Sequence, residues 1–211
     1  MIWDTIIAGF GGQGLLFAGR ILAQAAMLDG FEVTWLPSYG PQMRGGTANC
    51  SVIISDQTIY SPLVRHPRGL IALNRPSLNE FGPLVRRDGI VVVNSSLVDD
   101  APVSSESSTV EVPASEIALR LGSVRVANMV ALGAYLGSVH LLSKRSIRAA
   151  LKKAFPASRA ELYKLNMAAL REGAPYGAAT RHPLKSGHAY GFARGNHRAL
   201  WTGEASDVCE E

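Results

Sequence analysis

A glycine-rich turn between an apolar run and a helical segment is the feature that most limits the folds open to this chain. Residues 3–8 read WDTIIA and predict a buried strand, which the sequence Gly9-Phe-Gly11-Gly12-Gln13-Gly14 follows directly. Residues 15–28 carry alanine and leucine at helical spacing and predict a helix. A second strand is predicted over residues 32–36. Residues 1–36 therefore form a βαβ unit whose two strands should run parallel, with a right-handed crossover.

The same alternation of strands and helices continues along the chain. Further strands are predicted over residues 47–55, 69–74, 90–94 and 109–112, with a hairpin after residue 55, a helix over residues 76–87, and only helices over residues 113–171. The predicted fold class is α/β: a Rossmann-like mixed, mostly parallel sheet with flanking helices, a helical C-terminal part and an extended C-terminal arm.

The chain divides into two regions by composition. Residues 1–172 are predicted to form one domain, because 47% of the 211 residues are hydrophobic and can supply a core. Residues 173–211 have repeated glycine and little hydrophobic periodicity, which predicts an arm that is extended or disordered. No run approaches the roughly 20 apolar residues that span a bilayer, and no signal peptide is evident, so a soluble cytoplasmic protein without a membrane partner is expected.

Cysteine content and charge exclude some classes of function. Two cysteines, Cys50 and Cys209, are too few for a disulfide framework or for an iron-sulfur cluster held by this chain alone. Residues 144–171 carry eight basic residues and one acidic residue, with Lys144, Arg148 and Lys152 at four-residue spacing. This pattern is typical of a solvated helix face or of a surface that docks an acidic protein, and no nucleic-acid-binding module accompanies it.

The glycine turn has two interpretations. Gly9, Gly11 and Gly14 match the dinucleotide pattern GxGxxG between a strand and a helix, where free N–H groups favour an anion. An NAD site would also place an acid at the end of the second strand, but residues 36–38 read LPS. A nicotinamide enzyme is therefore disfavoured. A phosphate-bearing ligand and tight packing of the helix on the sheet both remain open.

A second loop, residues 37–50 with the sequence PSYGPQMRGGTANC, places Arg44 among prolines and glycines. Such a guanidinium can clamp a carboxylate or phosphate, pair with an acid of another subunit, or form an internal salt bridge. No catalytic constellation and no metal site is predicted. Cys50 is interpreted as a small core residue, and Asn128 as a buried side chain that bonds backbone.

Five sequence motifs in one order resemble the gamma subunits of the 2-oxoacid:ferredoxin oxidoreductases, which act on pyruvate, 2-oxoglutarate and ketoisovalerate. The motifs are GFGGQG, PSYGPQMRGG, the Ser-Pro pair at residues 61–62, LIALNRPSL at residues 70–78 and VVVNSSLV at residues 91–98. The resemblance covers about residues 2–170, and the loop wording is most similar to the 2-oxoglutarate and ketoisovalerate branches.

The resemblance implies a complex that oxidatively decarboxylates a 2-oxoacid, forms an acyl-coenzyme A and reduces ferredoxin. It implies that thiamine diphosphate with magnesium is held by alpha and beta subunits, that iron-sulfur clusters are held by a ferredoxin-like delta subunit or its fused equivalent, and that coenzyme A is the co-substrate. The gamma chain would then be an accessory, structural subunit that binds no cofactor alone and contributes to coenzyme A handling. A stand-alone Rossmann-like nucleotide-binding protein is the alternative.

Carried over by motif, the family residues that shape the interface or contact an anion are those of the turn and of the loop. They are Gly9, Gly11, Gly12, Gln13 and Gly14 in the turn, and Tyr39, Gly40, Arg44, Gly45, Gly46 and Asn49 in the loop. The sequence departs from the family at Pro67-Arg68-Gly69, because members usually have an aspartate beside this proline. Arg68 reverses that charge.

Overall fold

A computed structural model of the chain describes residues 1–39, 47–99 and 107–180. Six strands and six α-helices make up these ranges, with short 3-10 turns at residues 82–84, 124–126 and 157–159. The strands are β1 (Ile2–Phe10), β2 (Glu32–Tyr39), β3 (Thr47–Ser55), β4 (Gly69–Ala72), β5 (Ile90–Asn94) and β6 (Ser108–Val112). The helices are α1 (Leu15–Leu28), α2 (Arg75–Phe81), α3 (Ala114–Arg120), α4 (Ala127–Val139), α5 (Lys144–Ala154) and α6 (Ala160–Ala179).

All six strands form one mixed sheet in the order β2-β3-β1-β4-β5-β6. Strands β1, β4, β5 and β6 are parallel neighbours, whereas β3 runs antiparallel to both β1 and β2. The predicted fold class, an α/β mixed and mostly parallel sheet with flanking helices, is confirmed. Strands β1 and β2 are parallel in direction, as predicted, but β3 lies between them.

The hairpin predicted after residue 55 is wrong. Residues 58–60 do not form a strand, and β3 instead pairs along its full length with β1 on one side and with β2 along eight residues on the other. Both hydrogen-bonding edges of β3 are therefore occupied, which leaves no edge for a following strand.

The sheet is covered unequally on its two faces. One face carries the main core, in which Ile7, Val92 and Tyr135 are buried together with side chains of α1, α3, α4, α5 and α6. The other face carries a smaller core in which strand residues pack against Leu78 and Phe81 of α2. Helix α2 is shorter than predicted and passes into a 3-10 turn at residue 82, because Pro83 has no amide hydrogen with which to continue the helix.

Helix α6 continues past the predicted domain boundary at residue 172. It ends at Ala179, and Gly173 and Gly177 lie directly against backbone carbonyls of α4. On the facing side, Gly133 and Gly137 of α4 lie against carbonyls of α6. Glycines that look like helix breakers in the sequence therefore let two helices approach closely, because no Cβ intervenes. The arm predicted from residue 173 has a helical start, and residues 181–211 lie outside the described residues.

Within the described ranges, no helix combines the length and the hydropathy needed to cross a bilayer.

Candidate functional site

The carboxyl ends of β1 and β4, two parallel neighbours near the middle of the sheet, lie side by side. The chain leaves β1 for α1, which packs in the main core, and leaves β4 for α2, which packs on the opposite face. Connections that diverge to opposite faces mark the topological switch point, where α/β proteins bind ligands or partners. The glycine turn, residues 9–14, lies at this point.

The glycine turn uses its glycines for two different purposes. Gly12 and Gly14 have φ angles of 94° and 74°, in the left-handed region that favours glycine. Gly11 and Gly12 are exposed, and no atom lies within 4 Å of where a Cβ of Gly12 would stand. By contrast, a Cβ at Gly9 would lie 2.6 Å from Oε1 of Gln13. Close packing therefore favours glycine at position 9, and backbone conformation favours it at position 12.

The side chain of Gln13 folds back over the turn and joins it to the next strand. Its Oε1 accepts hydrogen bonds from the main-chain nitrogen of Phe10 at 2.6 Å and from Nδ2 of Asn74 at 3.3 Å. Asn74, which is 2% exposed, caps α2 by accepting from the main-chain nitrogen of Ser77 at 2.9 Å. The side-chain amides of Gln13 and Asn74 thus connect the turn after β1 to the start of α2.

A second amide continues this arrangement at the end of β5. Asn94 is 1% exposed, and its Nδ2 donates to Oγ of Ser115 at 3.0 Å and to the carbonyl of Leu73 at 3.4 Å. Sequence reasoning did not assign roles to Asn74 and Asn94. The signal was present, because each is a polar residue at the end of a predicted apolar strand, residues 69–74 and 90–94.

The glycine turn is also held from the helical layer. Asn128, the first buried polar residue of α4, donates from Nδ2 to the carbonyl of Gly14 at 2.7 Å. The prediction that Asn128 bonds backbone is confirmed. A Cβ at Gly14 would lie 2.5 Å from this same Nδ2. The interpretation of the glycines as residues that allow close packing therefore holds at Gly9 and Gly14.

The strands place one end of the second loop beside the glycine turn and the other end one strand further away. Thr47, the first residue of β3, pairs with Phe10, and Ala48 pairs with Tyr39, the last residue of β2. Tyr39 and Asn49 belong to these strands. Gly40, Arg44, Gly45 and Gly46 lie outside the described residues, so their predicted contacts stay predictions.

The N-terminus of α1 lies at this edge of the sheet and has no side-chain cap. Gly14 occupies the capping position, and no acidic residue is present in the first turn. The unpaired N–H groups of such a turn carry a partial positive charge that favours an anion.

The described residues of this edge offer hydrogen bonds rather than acid-base groups. None of its bridging polar side chains ionises near neutral pH; they belong to Gln13, Asn74, Asn94 and Ser115. Cys50 is fully buried on β3 and contacts the carbonyl of Leu15 at 3.6 Å. Burial raises the pKa of the Cys50 thiol to about 12, with a hydrogen bond to Trp35 opposing the change. A neutral buried thiol is not a nucleophile, which agrees with its interpretation as a core residue.

No group of three or more histidine, cysteine, aspartate or glutamate side chains that could hold a metal occurs within residues 1–39, 47–99 and 107–180.

The position of Arg68 is explained by a carboxylate from another strand. Oδ1 of Asp4 accepts from the main-chain nitrogen of Arg68 at 2.9 Å, and its Oδ2 lies 3.6 Å from a guanidinium nitrogen of Arg86. The guanidinium of Arg68 lies over the ring of Trp3, 5.8 Å from its centre. The carboxylate beside Arg68 therefore comes from Asp4 of β1.

Residues 4–176 match the model of the pyruvate ferredoxin/flavodoxin oxidoreductase family. The chain belongs to this family. Ketoisovalerate oxidoreductase subunit VorA from Methanothermobacter thermautotrophicus is 41% identical over 171 residues, which are 81% of this chain and 35% of that protein. The 2-oxoglutarate synthase subunit KorC of the same organism is 36% identical over 173 residues, covering 79% of this chain and 92% of KorC.

The family fold is confirmed by a solved structure. The gamma subunit of a keto/oxoacid ferredoxin oxidoreductase from Geobacter sulfurreducens is 31% identical, with a TM-score of 0.73 over 84% of this chain and 99% of that one. The chain thus has the gamma-subunit fold of the pyruvate ferredoxin/flavodoxin oxidoreductase family. It spans 35% of the length of VorA, so that relative contains additional sequence.

Proposed function

We propose that the chain is the gamma subunit of a complex that oxidatively decarboxylates a 2-oxoacid, forms an acyl-coenzyme A and passes the electrons to ferredoxin. The observation that carries the proposal is the match of nearly whole subunits: the alignments cover 92% of KorC and 99% of the Geobacter gamma subunit. A chain that matches whole subunits of multi-subunit enzymes is itself expected to act as a subunit.

The role of the chain within the complex is accessory. The side chains that bridge the elements at the switch point are amides and a hydroxyl, and the buried thiol of Cys50 has a raised pKa. Decarboxylation needs a group that stabilises a carbanion, and electron transfer needs a redox centre. We assign thiamine diphosphate with magnesium to alpha and beta subunits, and iron-sulfur clusters to a delta subunit or its fused equivalent.

The glycine turn and the second loop form the surface that meets the catalytic subunits. Gln13, Asn74 and Asn128 hold the turn rigid, so that the exposed Gly11 and Gly12 can approach another molecule closely. One end of the loop containing Arg44, Thr47, pairs with Phe10 of this turn, and the other end, Tyr39, lies one strand further away. An anionic part of coenzyme A is the ligand that suits the uncapped start of α1.

The favoured substrates are 2-oxoglutarate and branched-chain 2-oxoacids such as ketoisovalerate, with pyruvate third. This order follows the relatives, because VorA is 41% and KorC 36% identical, whereas pyruvate synthase subunit PorC from Methanocaldococcus jannaschii is 29% identical. Substrate choice is expected to lie in the catalytic subunits.

The test is recovery of the full, affinity-tagged chain from its source organism. Mass spectrometry should identify thiamine-binding and iron-sulfur subunits, and the purified complex should reduce ferredoxin with one of the three 2-oxoacids only when coenzyme A is present. An Arg44→Ala variant should recover less complex, whereas Arg65→Ala, at an exposed cation outside the loop, should recover the normal amount. A chain that runs alone and brings no 2-oxoacid oxidation would refute the proposal.

The stand-alone nucleotide-binding alternative has its own measurement. The isolated chain would be titrated calorimetrically with NAD, FAD, ADP and coenzyme A. Tight binding of NAD or FAD to the isolated chain would favour this alternative, and we expect none, because Gln13 occupies the space above Gly9 and β2 ends without an acid.

A further inference from the structure

Helix α5 has one apolar face and one basic face. Ile147 and Leu151 are buried in the main core, as the sequence pattern predicts. The opposite face is exposed and consists of Arg145, Arg148, Ala149, Lys152 and Lys153.

The carboxylate of Asp29 fixes this helix in place. Asp29 follows α1, and its Oδ2 accepts from the main-chain nitrogen of Ser143 at 2.7 Å. Its Oδ1 accepts from the hydroxyls of Ser143 at 2.8 Å and Ser146 at 2.6 Å. The basic face is therefore held rigidly, and the acid at its N-terminal end is already hydrogen-bonded to hydroxyl and amide groups.

The positive charges of the face are not compensated within the described residues. Arg145, Arg148, Lys152 and Lys153 form no ion pair there. The acids on α5 and α6 are Glu161, which pairs with Lys164 at 3.0 Å, and Glu172. Partial burial and the charges of Arg148 and Arg171 lower the pKa of Lys144. Like charges have thus been gathered on one rigid surface, at an electrostatic cost that a partner of opposite charge would remove.

We propose that this basic surface, formed by Arg145, Arg148, Lys152 and Lys153 of α5 with Arg171 of α6, docks an acidic face of another protein subunit in the same complex. The inference rests on the proposed function, because it assumes that the chain works in an assembly. It concerns a different surface from the glycine turn.

The composition of the surface favours a protein over a membrane or a nucleic acid. The exposed face of α5 has no large apolar side chain to enter a lipid layer. It also has no exposed aromatic ring for stacking on bases, since Phe155, just after α5, packs against Phe17 with ring centres 5.4 Å apart.

The first test maps lysine reactivity in the purified complex and in the isolated full chain. Acetylation with a water-soluble reagent, read by mass spectrometry, should label Lys152 and Lys153 in the isolated chain and leave them largely unlabelled in the complex. Lys164, whose side chain is 70% exposed and paired with Glu161, is the internal control and should react in both. Equal labelling of Lys152 and Lys153 in the two samples would overturn the proposal.

The second test reverses charge on the surface. The variant R145E/R148E/K152E should weaken subunit binding at least about tenfold, within the range that electrostatic steering covers, and should reduce its dependence on salt. The matched control R65E/R120E/R125E changes net charge equally at exposed cations elsewhere and should bind normally. Normal binding by the first variant would overturn the docking surface while leaving the gamma-subunit function intact.

Three other results would also contradict the proposal. The last eight residues of the chain contain four acids, so protection of Lys152 in the isolated chain that disappears in E204Q/D207N/E210Q/E211Q would assign the surface to the chain's own C-terminal sequence. Binding of a short DNA duplex or of phosphatidylserine vesicles, lost in R145E/R148E/K152E and kept in the control, would assign it to those ligands. Recovery of the wild-type chain without any partner subunit would refute both the docking surface and the proposed function.

Discussion

Nδ2 of Asn128 donates a hydrogen bond of 2.7 Å to the carbonyl oxygen of Gly14, across 114 positions of sequence. The bond joins the first turn of α4 to the start of α1. It ties the glycine turn to the helical layer that forms the other side of the main core.

Asn128→Ala is expected to lower the free energy of unfolding by about 1 kcal/mol, because it removes one hydrogen bond from the Gly14 carbonyl, which still accepts from the main-chain nitrogens of Phe17 and Ala18. Urea denaturation of the full chain measures this loss. Asn166→Ala is the matched control, since Asn166 is 6% exposed and its amide bonds the carbonyl of Leu162 within its own helix. A larger loss in the control than in Asn128→Ala would contradict the assigned role.

Two glycine substitutions separate backbone strain from close packing. Gly12→Ala should cost about 1–2 kcal/mol, because the left-handed conformation disfavours a side chain while the space is open. Gly14→Ala should cost more, since its Cβ would also meet Nδ2 of Asn128 at 2.5 Å. Thermal and urea denaturation of both variants provide the comparison. Equal losses would show that the contact with Asn128 adds nothing.

Shortened chains test where the folded domain ends. A chain of residues 1–180 should retain the stability of the domain, whereas a chain of residues 1–172 should lose on the order of 3 kcal/mol. The shorter chain lacks Gly173, Ala174 and Gly177, which are buried against α4, and it exposes the apolar face they cover. Circular dichroism with urea denaturation distinguishes the two. Equal stability of the two shortened chains would place the end of the folded domain at residue 172.

The thiol of Cys50 should be unreactive in the folded protein. In a Cys209→Ser background, where Cys50 is the single cysteine, iodoacetamide should alkylate the chain far more slowly in buffer than in urea. The pKa of Cys50, raised from 9.0 to about 12, also sets a pH dependence. The fold favours the neutral thiol, so this contribution to stability is complete below about pH 9 and is lost as the pH rises toward 12.

Cys50→Ala should therefore show a smaller fall in unfolding free energy over that alkaline range than the parent chain does. Identical pH profiles would contradict the assigned contribution, and equal alkylation rates with and without urea would contradict the burial.

The first strand, the glycine turn and α1 were predictable because their signals are local. An apolar run, glycines at positions that need left-handed backbone, and helical periodicity each act within a few residues. The position of β3 was not predictable in this way. Its partners are strands that precede it by up to 53 positions, as in the pair Ile2 and Ser55, and alternation within β3 does not specify them.

The end of α6 was missed for a different physical reason. Gly173 and Gly177 weaken an isolated helix, so the sequence predicts the end of regular structure there. Packing against α4 outweighs that cost, and the equal four-residue spacing of Gly133 and Gly137 was the available signal. At the candidate site, the glycine motif located the turn, but Asn74 was missed because its role depends on a contact with Gln13 of that turn, 61 positions earlier in the sequence.

The insertion of β3 between β1 and β2 has a consequence for synthesis on the ribosome. Within the described residues β2 pairs with β3 alone, so a nascent chain that ends at residue 39 holds an edge strand with nothing to bond. The βαβ unit at the N-terminus cannot close as an autonomous folding nucleus. Its assembly must wait until residues 47–55 have emerged from the ribosome. The part of the sheet that contains β1 and β2 can therefore form only after β3 has been synthesised.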